Sequence, residues 1–181
     1  MHVFISGGAK NGKSFYAQQE AKRQAEEKKV PLYYIATMIP TDEEDRERIK
    51  KHVLEREGWG FITIEQGRDI CKVLQQADPD GVFLLDSVTA LLSNEMFPPG
   101  EAPDLQAPRR VRAELVKLAE AAGNIIFVSD TVCSDALQYD KLTESYREGL
   151  ADCGRALAHK CDKVLEVCFG SCISFKEMRR S

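Results

Sequence analysis

Val3-Phe4-Ile5-Ser6-Gly7-Gly8-Ala9-Lys10-Asn11-Gly12-Lys13-Ser14 decides how the rest of the chain is read. An apolar run over residues 3–6 stops at two glycines. Residues 14–29 then show helical spacing, with Ala17, Ala21 and Ala25 on one face. Between strand and helix, Gly7, Gly8, Ala9, Lys10, Asn11, Gly12, Lys13 and Ser14 satisfy G-x-x-x-x-G-K-[ST]. Glycines at these positions let backbone N–H groups converge on phosphate oxygens, and the helix N-terminus adds partial positive charge. Lys13 reaches the terminal phosphates, and the Ser14 hydroxyl can bind Mg2+. All eight residues are expected to hold nucleotide, with Lys13 also acting on the transferred phosphate.

Outward from this loop, apolar runs alternate with helical segments. Residues 32–37 read as a second strand. Thr41-Asp42-Glu43-Glu44 fits a capping box opening a highly charged helix to about residue 57. Residues 61–64 suit a short strand, 69–77 a helix with Ile70, Val73 and Leu74 inward, and 81–86 a continuously apolar strand ending in Asp86. After a helix over 88–97, Pro98, Pro99, Pro103 and Pro108 mark an exposed loop, a candidate lid. Helical spacing resumes at 109–122 through Val111, Leu115, Leu118 and Ala119, and Gly123 precedes a buried-type strand at 125–129. A long helix at 142–161, a strand at 164–168 and a tight Gly170-Ser171 connection into 172–176 predict a closing antiparallel hairpin. Apolar strands without period-two patterning, separated by helices, imply an α/β fold: a mostly parallel sheet covered on both faces, with that hairpin at its C-terminal end.

Composition narrows the function. The 181 residues are expected to form one nucleotide-binding domain over 1–181. A net charge of −4, with both signs interspersed, offers no basic face for a nucleic-acid backbone, so nucleic acid is set aside. No run approaches the roughly 18 apolar residues of a membrane span, and the few apolar residues before Gly7 are too short for a signal h-region, so a soluble cytoplasmic protein is expected. Cys71, Cys133, Cys153, Cys161, Cys168 and Cys172 show no metal-binding spacing and read as free thiols.

Two further residues carry chemistry. Asp86, at the end of a buried run, suits a second magnesium ligand at a Walker-B position, against a plain strand-end cap. His52 lies in the charged helix with Arg48 four residues before, Ile49 three before and Arg56 four after. Flanking cations favour an uncharged, nucleophilic imidazole, and the guanidinium groups could meet phosphates. Taken alone, such a histidine is more often solvated surface. His2 and His159 accompany no motif.

The glycine loop, Tyr34-Ile35-Ala36-Thr37, and Asp42-Glu43-Glu44 through Arg48-Ile49 to His52 together resemble the bifunctional adenosylcobinamide kinase / adenosylcobinamide-phosphate guanylyltransferases of cobalamin biosynthesis. So do Leu84-Leu85-Asp86-Ser87-Val88-Thr89 with Asn94, and Leu157-Ala158 with Asp162 and Val164. The acid-rich turn followed by Arg-Ile and His is the more particular motif, since the glycine loop is shared with many NTPases. The resemblance implies a RecA-like P-loop NTPase fold, a homotrimer, GTP and ATP as substrates, a corrinoid acceptor and Mg2+. It implies phosphoryl transfer to the adenosylcobinamide hydroxyl, then attack of His52 on the α-phosphorus of GTP and passage of GMP to the corrinoid phosphate. Glu44 and Arg48 are carried over as nucleotide-binding residues.

Departures exist. Where the family usually reads Asn-Glu-Val-Gly after the fifth strand, this chain has Ser129-Asp130-Thr131-Val132-Cys133-Ser134-Asp135. Tyr146-Arg147-Glu148 agrees with the family pattern, but its later Asn-Gln pair falls on Gly154-Arg155. Two rival readings are a P-loop kinase of another acceptor, with His52 merely solvated, and a non-catalytic nucleotide-dependent interaction protein.

Overall fold

The computed structural model describes residues 1–132, 137 and 139–177. Seven strands form one sheet in the order β3-β2-β4-β5-β1-β6-β7. The strands are β1 (His2–Gly7), β2 (Leu32–Ala36), β3 (Phe61–Glu65), β4 (Val82–Asp86), β5 (Asn124–Asp130), β6 (Lys163–Cys168) and β7 (Ser171–Glu177). Six run parallel, and β7 returns antiparallel to β6, as the Gly170-Ser171 turn predicts. The helices are α1 (Lys13–Lys28), α2 (Glu43–Glu55), α3 (Val88–Met96), α4 (Ala107–Ala121) and α5 (Lys141–Lys160).

Successive strand residues point to opposite faces, and here both faces are apolar. Val3, Ile5, Tyr34, Leu84 and Val128 pack with Ala17, Ala21 and Ala25 of α1. Phe4, Tyr33, Phe83, Leu85 and Phe127 pack on the other side with Leu91, Val111, Leu115, Leu150 and Leu157 of α3 to α5. Small alanines let α1 lie close to the sheet, which fixes the level at which its N-terminus meets the C-terminal ends of β1, β4 and β5.

Three local expectations are corrected. The cap of α2 falls one residue later than the Thr41 box: Asp42 accepts from the Asp45 N–H, and the Asp45 carboxylate reaches back to the Thr41 N–H and hydroxyl at 3.1 and 2.8 Å. A carboxylate at the N-cap also meets the helix dipole, which a threonine cannot. Residues 69–77 form only a 3-10 helix, Ile70–Gln75, because the Glu95 carboxylate captures the Asp69 N–H at 2.7 Å and Asp69 turns left-handed at φ 48°. Ile70 and Val73 are nonetheless buried as expected. Pro108 lies inside the first turn of α4, where its missing N–H costs nothing, so the proline-rich loop ends before it. That loop is tied down by the Asp104 N–H donating to Met96 O at 2.8 Å and by Arg110 bridging Asp104 and Glu95 at 2.8 and 3.0 Å.

Cys153 and Cys161 are buried, and burial pushes both thiols up to about 12; Cys172 is exposed. Cys133, Ser134 and Asp135 lie outside the described residues. Among the described residues no helix is long and apolar enough to cross a membrane.

Candidate active site

The glycine loop joins β1 to α1. Gly12 takes φ 88°, no side chain caps α1, and its first turn carries no acid. The N–H groups at that helix start are therefore available to an anion, with the dipole unopposed. Lys13 is almost buried, its ammonium donating to Gly8 O at 2.8 Å and to Asp130 Oδ1 at 2.7 Å. Asp130 ends β5 directly opposite Gly7 in the β1–β5 register. Its own N–H donates to Thr89 Oγ1 at 2.8 Å, and the next N–H, of Thr131, donates to Gly7 O at 2.9 Å.

One strand further, Asp86 ends β4 and accepts from the Tyr34 hydroxyl at 3.0 Å. Beside it, Thr37 Oγ1 accepts from the Ser87 N–H at 2.6 Å and donates to Ser87 O at 2.8 Å. Asn94 Nδ2 then donates to Thr37 O at 2.7 Å and to Gly67 O at 3.0 Å. These bonds lock the ends of β2 and β4 together, so the carboxylate of Asp86 stands on a rigid strand end. Ser14 is half-buried at the start of α1. Ser14 and Asp86 present hard oxygens of the kind magnesium takes alongside water and phosphate ligands.

Of the α2 residues singled out in the sequence, His52 is half-buried, while Glu44 and Arg48 are exposed and pair with each other at 3.5 Å. Arg56, whose guanidinium is expected from the sequence to be free to meet phosphates, is instead turned onto a neighbouring strand. It is 7% exposed, and its guanidinium lies 3.5 Å from the centre of the Tyr34 ring. Just beyond, Trp59 meets Phe15 of α1 edge-on at 5.9 Å, with the Lys22 ammonium 5.2 Å from its ring centre. The residues at and just beyond the C-terminal end of α2 are thereby fastened to β2 and to α1.

Sequence reasoning missed the partnership of Asp130 with Lys13, the Tyr34 contact to Asp86 and the part of Thr37. Asp130 carries the signal that identified Asp86, an acid closing a buried apolar strand. His2 serves structure: its Nε2 pairs with Ala122 O at 3.0 Å. A methyl added at Gly154 would lie 3.6 Å from the Phe4 ring, and Arg155 pairs with Asp152. A groove of about 800 Å³ between α4 and α5, lined by Arg109, Arg112, Glu148, Asp152 and His159, includes none of the glycine-loop residues.

Residues 3–175 match the family described as CobU, cobinamide kinase / cobinamide phosphate guanyltransferase. The chain belongs to this family. Its activity is accordingly that of a cobinamide kinase and cobinamide phosphate guanylyltransferase in cobalamin biosynthesis. No curated protein matches the sequence. Among solved structures, a KaiC-like protein from the hyperthermophilic archaeon Pyrococcus horikoshii OT3 aligns at TM-score 0.51 and 17% identity, over 99% of this chain and 79% of that one. The flagellar accessory protein FlaH from Methanocaldococcus jannaschii aligns at TM-score 0.46 and 16% identity, over 98% of this chain and 78% of that one. The fold is that of the P-loop NTPases.

Proposed function

We propose that this enzyme moves GMP from GTP to adenosylcobinamide phosphate by way of a guanylyl-histidine on His52, and that it phosphorylates adenosylcobinamide with ATP or GTP on the same glycine loop. It does so in the cytoplasm, as a homotrimer of the kind the resemblance implies. In the guanylyl reaction the His52 ring nitrogen forms a bond to the α-phosphorus while the bond to the bridging oxygen breaks and pyrophosphate leaves. The corrinoid phosphate oxygen then displaces the nitrogen, which departs readily once protonated, so one hard displacement becomes two easier ones. Lys13 and the loop N–H groups stabilise charge on the phosphates in both reactions. Ser14 and Asp86 would hold Mg2+, which when bound neutralises charge on the phosphate oxygens. Glu44 and Arg48 bind nucleotide from the exposed face of α2.

What supports the histidine role is the fastening of the α2 end. His52 stands one turn, roughly 6 Å, before Arg56 on the same side of the helix. Arg56 covers the Tyr34 ring at 3.5 Å, and the hydroxyl of that ring bonds Asp86 at 3.0 Å. A merely solvated charged helix has no need to bury an arginine against the acid side of a phosphate loop.

GTP labelled at its α-phosphate tests the reading. Wild-type protein is expected to take up label in an acid-labile, alkali-stable bond, and His52→Ala to take up none. Label persisting in His52→Ala refutes the assignment of the carrier. An unlabelled wild type that still phosphorylates cobinamide refutes the covalent route.

A further inference from the structure

We propose that Asp130 is the proton acceptor of the phosphoryl-transfer reaction, and that the triphosphate competes with it for the Lys13 ammonium. This rests on the kinase half of the function proposed above. Lys13 is 7% exposed at its side chain, so its ammonium requires an anionic partner, and that partner is Asp130 Oδ1 at 2.7 Å. When a triphosphate enters the loop, its terminal oxygens supply the charge instead, and the carboxylate is released one ammonium's breadth from the phosphate it has made way for.

The spacing then suits a hydroxyl between them. At the moment of exchange, two charge-assisted bonds of about 2.8 Å to one tetrahedral ammonium set a carboxylate oxygen and a phosphate oxygen about 4.6 Å apart. An attacking oxygen about 3 to 3.5 Å from phosphorus, and about 2.6 to 3.2 Å from its base, fits that gap. Asp86 fits less well. It stands on β4, two strand spacings or about 10 Å from β1, whereas Asp130 stands on the neighbouring strand about 5 Å away. Asp130 is also pre-positioned. Its N–H is held by Thr89 Oγ1 at 2.8 Å and the next N–H by Gly7 O at 2.9 Å, yet a third of its side chain remains exposed.

The step balances. The acceptor oxygen forms a bond to the γ-phosphorus, the bond from that phosphorus to the β,γ-bridging oxygen breaks, and the bridging oxygen keeps the electron pair as the nucleoside diphosphate leaves. The hydroxyl proton passes to Asp130 and then to solvent. Guanylyl transfer makes no such demand, because an uncharged imidazole nitrogen and an ionised phosphate oxygen are nucleophiles with no proton to surrender. Asp130 therefore separates the two activities that share the loop.

The test is Asp130→Asn in the full chain, with γ-labelled ATP and cobinamide for the kinase and α-labelled GTP with cobinamide phosphate for the transferase. Phosphoryl transfer is expected to fall about 10²- to 10⁴-fold. Guanylyl transfer shares the Lys13 partner and is expected to shift by much less, so the ratio of kinase to transferase rate should fall about 10²-fold or more. Triphosphate binding, measured by equilibrium dialysis, should be equal or tighter, since no ion pair has to be broken. Asp130→Glu, which retains the carboxylate, should recover part of the kinase rate, and this variant also reports if the asparagine form folds poorly. A kinase rate near wild type in Asp130→Asn overturns the proposal, as does a parallel fall of both activities. A wild type that phosphorylates no cobinamide instead sinks the underlying functional reading, and that outcome is visible before any variant is made.

Discussion

Replacing Gly7 by alanine places a methyl carbon 2.3 Å from Val167 O, and 3.2 and 3.3 Å from Cδ and Cγ of Lys13. Ordinary contact begins near 3.4 Å, so roughly 1 Å of relief is needed against a backbone carbonyl. Neither side gives easily. Gly7 is opposite Asp130 in the β1–β5 register and accepts from the Thr131 N–H at 2.9 Å, and Val167 is paired with Cys172 across β6 and β7. Overpacking of this kind costs about 3 kcal/mol. At about 2 to 4 °C per kcal/mol for a chain of this size, the melting temperature should fall by about 6 to 12 °C. The strain is released into the phosphate loop and the Lys13 stem, and a displacement near 1 Å there should cost about 10²-fold in either transfer reaction. Neighbouring glycines provide the control. A methyl on Gly8 meets only the tip of Asn11, at 2.9 Å, which can swing aside. A methyl on Gly12 meets nothing within 4 Å but must adopt φ 88°, a torsional cost of about 1 to 2 kcal/mol. Circular dichroism melts and initial rates on the three variants should rank the damage Gly7, then Gly12, then Gly8. A Gly7→Ala protein that melts within about 2 °C of wild type and turns over normally would refute the reasoning, because steric conflict inside the sheet would then not set the loop's position.

Lys13→Ala and Ser14→Ala should abolish nucleotide-dependent turnover while leaving the melting curve close to wild type, since Asp130 is a third exposed and can be solvated when Lys13 is removed; normal turnover in both would exclude the loop from catalysis. His2 supplies a pH signature. Burial holds its pKa below the ordinary 6.5, despite the bond to Ala122 O, so the unfolded chain takes up a proton that the folded one resists. Its contribution to stability is therefore full above pH 6.5 and is lost as pH falls through the lowered folded value. Melting temperatures at pH 8 and pH 5.5 should drop more for wild type than for His2→Gln, and equal drops would show that the ring is not desolvated.

Much of the fold was legible because its signals are local. Residues 3–29 announce strand, turn and helix through neighbours along the chain, and Ala17, Ala21 and Ala25 are buried as their spacing demands. The acids that close β4 and β5 share one signal, an apolar strand ending in a carboxylate, yet only Asp86 was assigned a part from sequence. Local rules erred where two candidates compete within a residue or two. Asp42 displaced Thr41 as the α2 cap, and a side chain from a distant segment, Glu95, set the start of the short helix at Ile70.

The residues of the loop, the two strand-end acids and the charged α2 were determined by the chain itself, because backbone chemistry and periodicity act between near neighbours. Which of them meet was decided only by the tertiary structure. Lys13 and Asp130 are 117 positions apart, and Tyr34 and Asp86 are 52 apart. They come together because parallel strands joined through helices must cross over, giving the order β3-β2-β4-β5-β1-β6-β7 rather than the order of synthesis. The burial of Arg56 over Tyr34 belongs to the same class. No spacing along α2 reveals that a guanidinium will leave water for an aromatic face, because the desolvation that makes the contact favourable exists only once Arg56 lies against Tyr34 of β2 in the folded sheet.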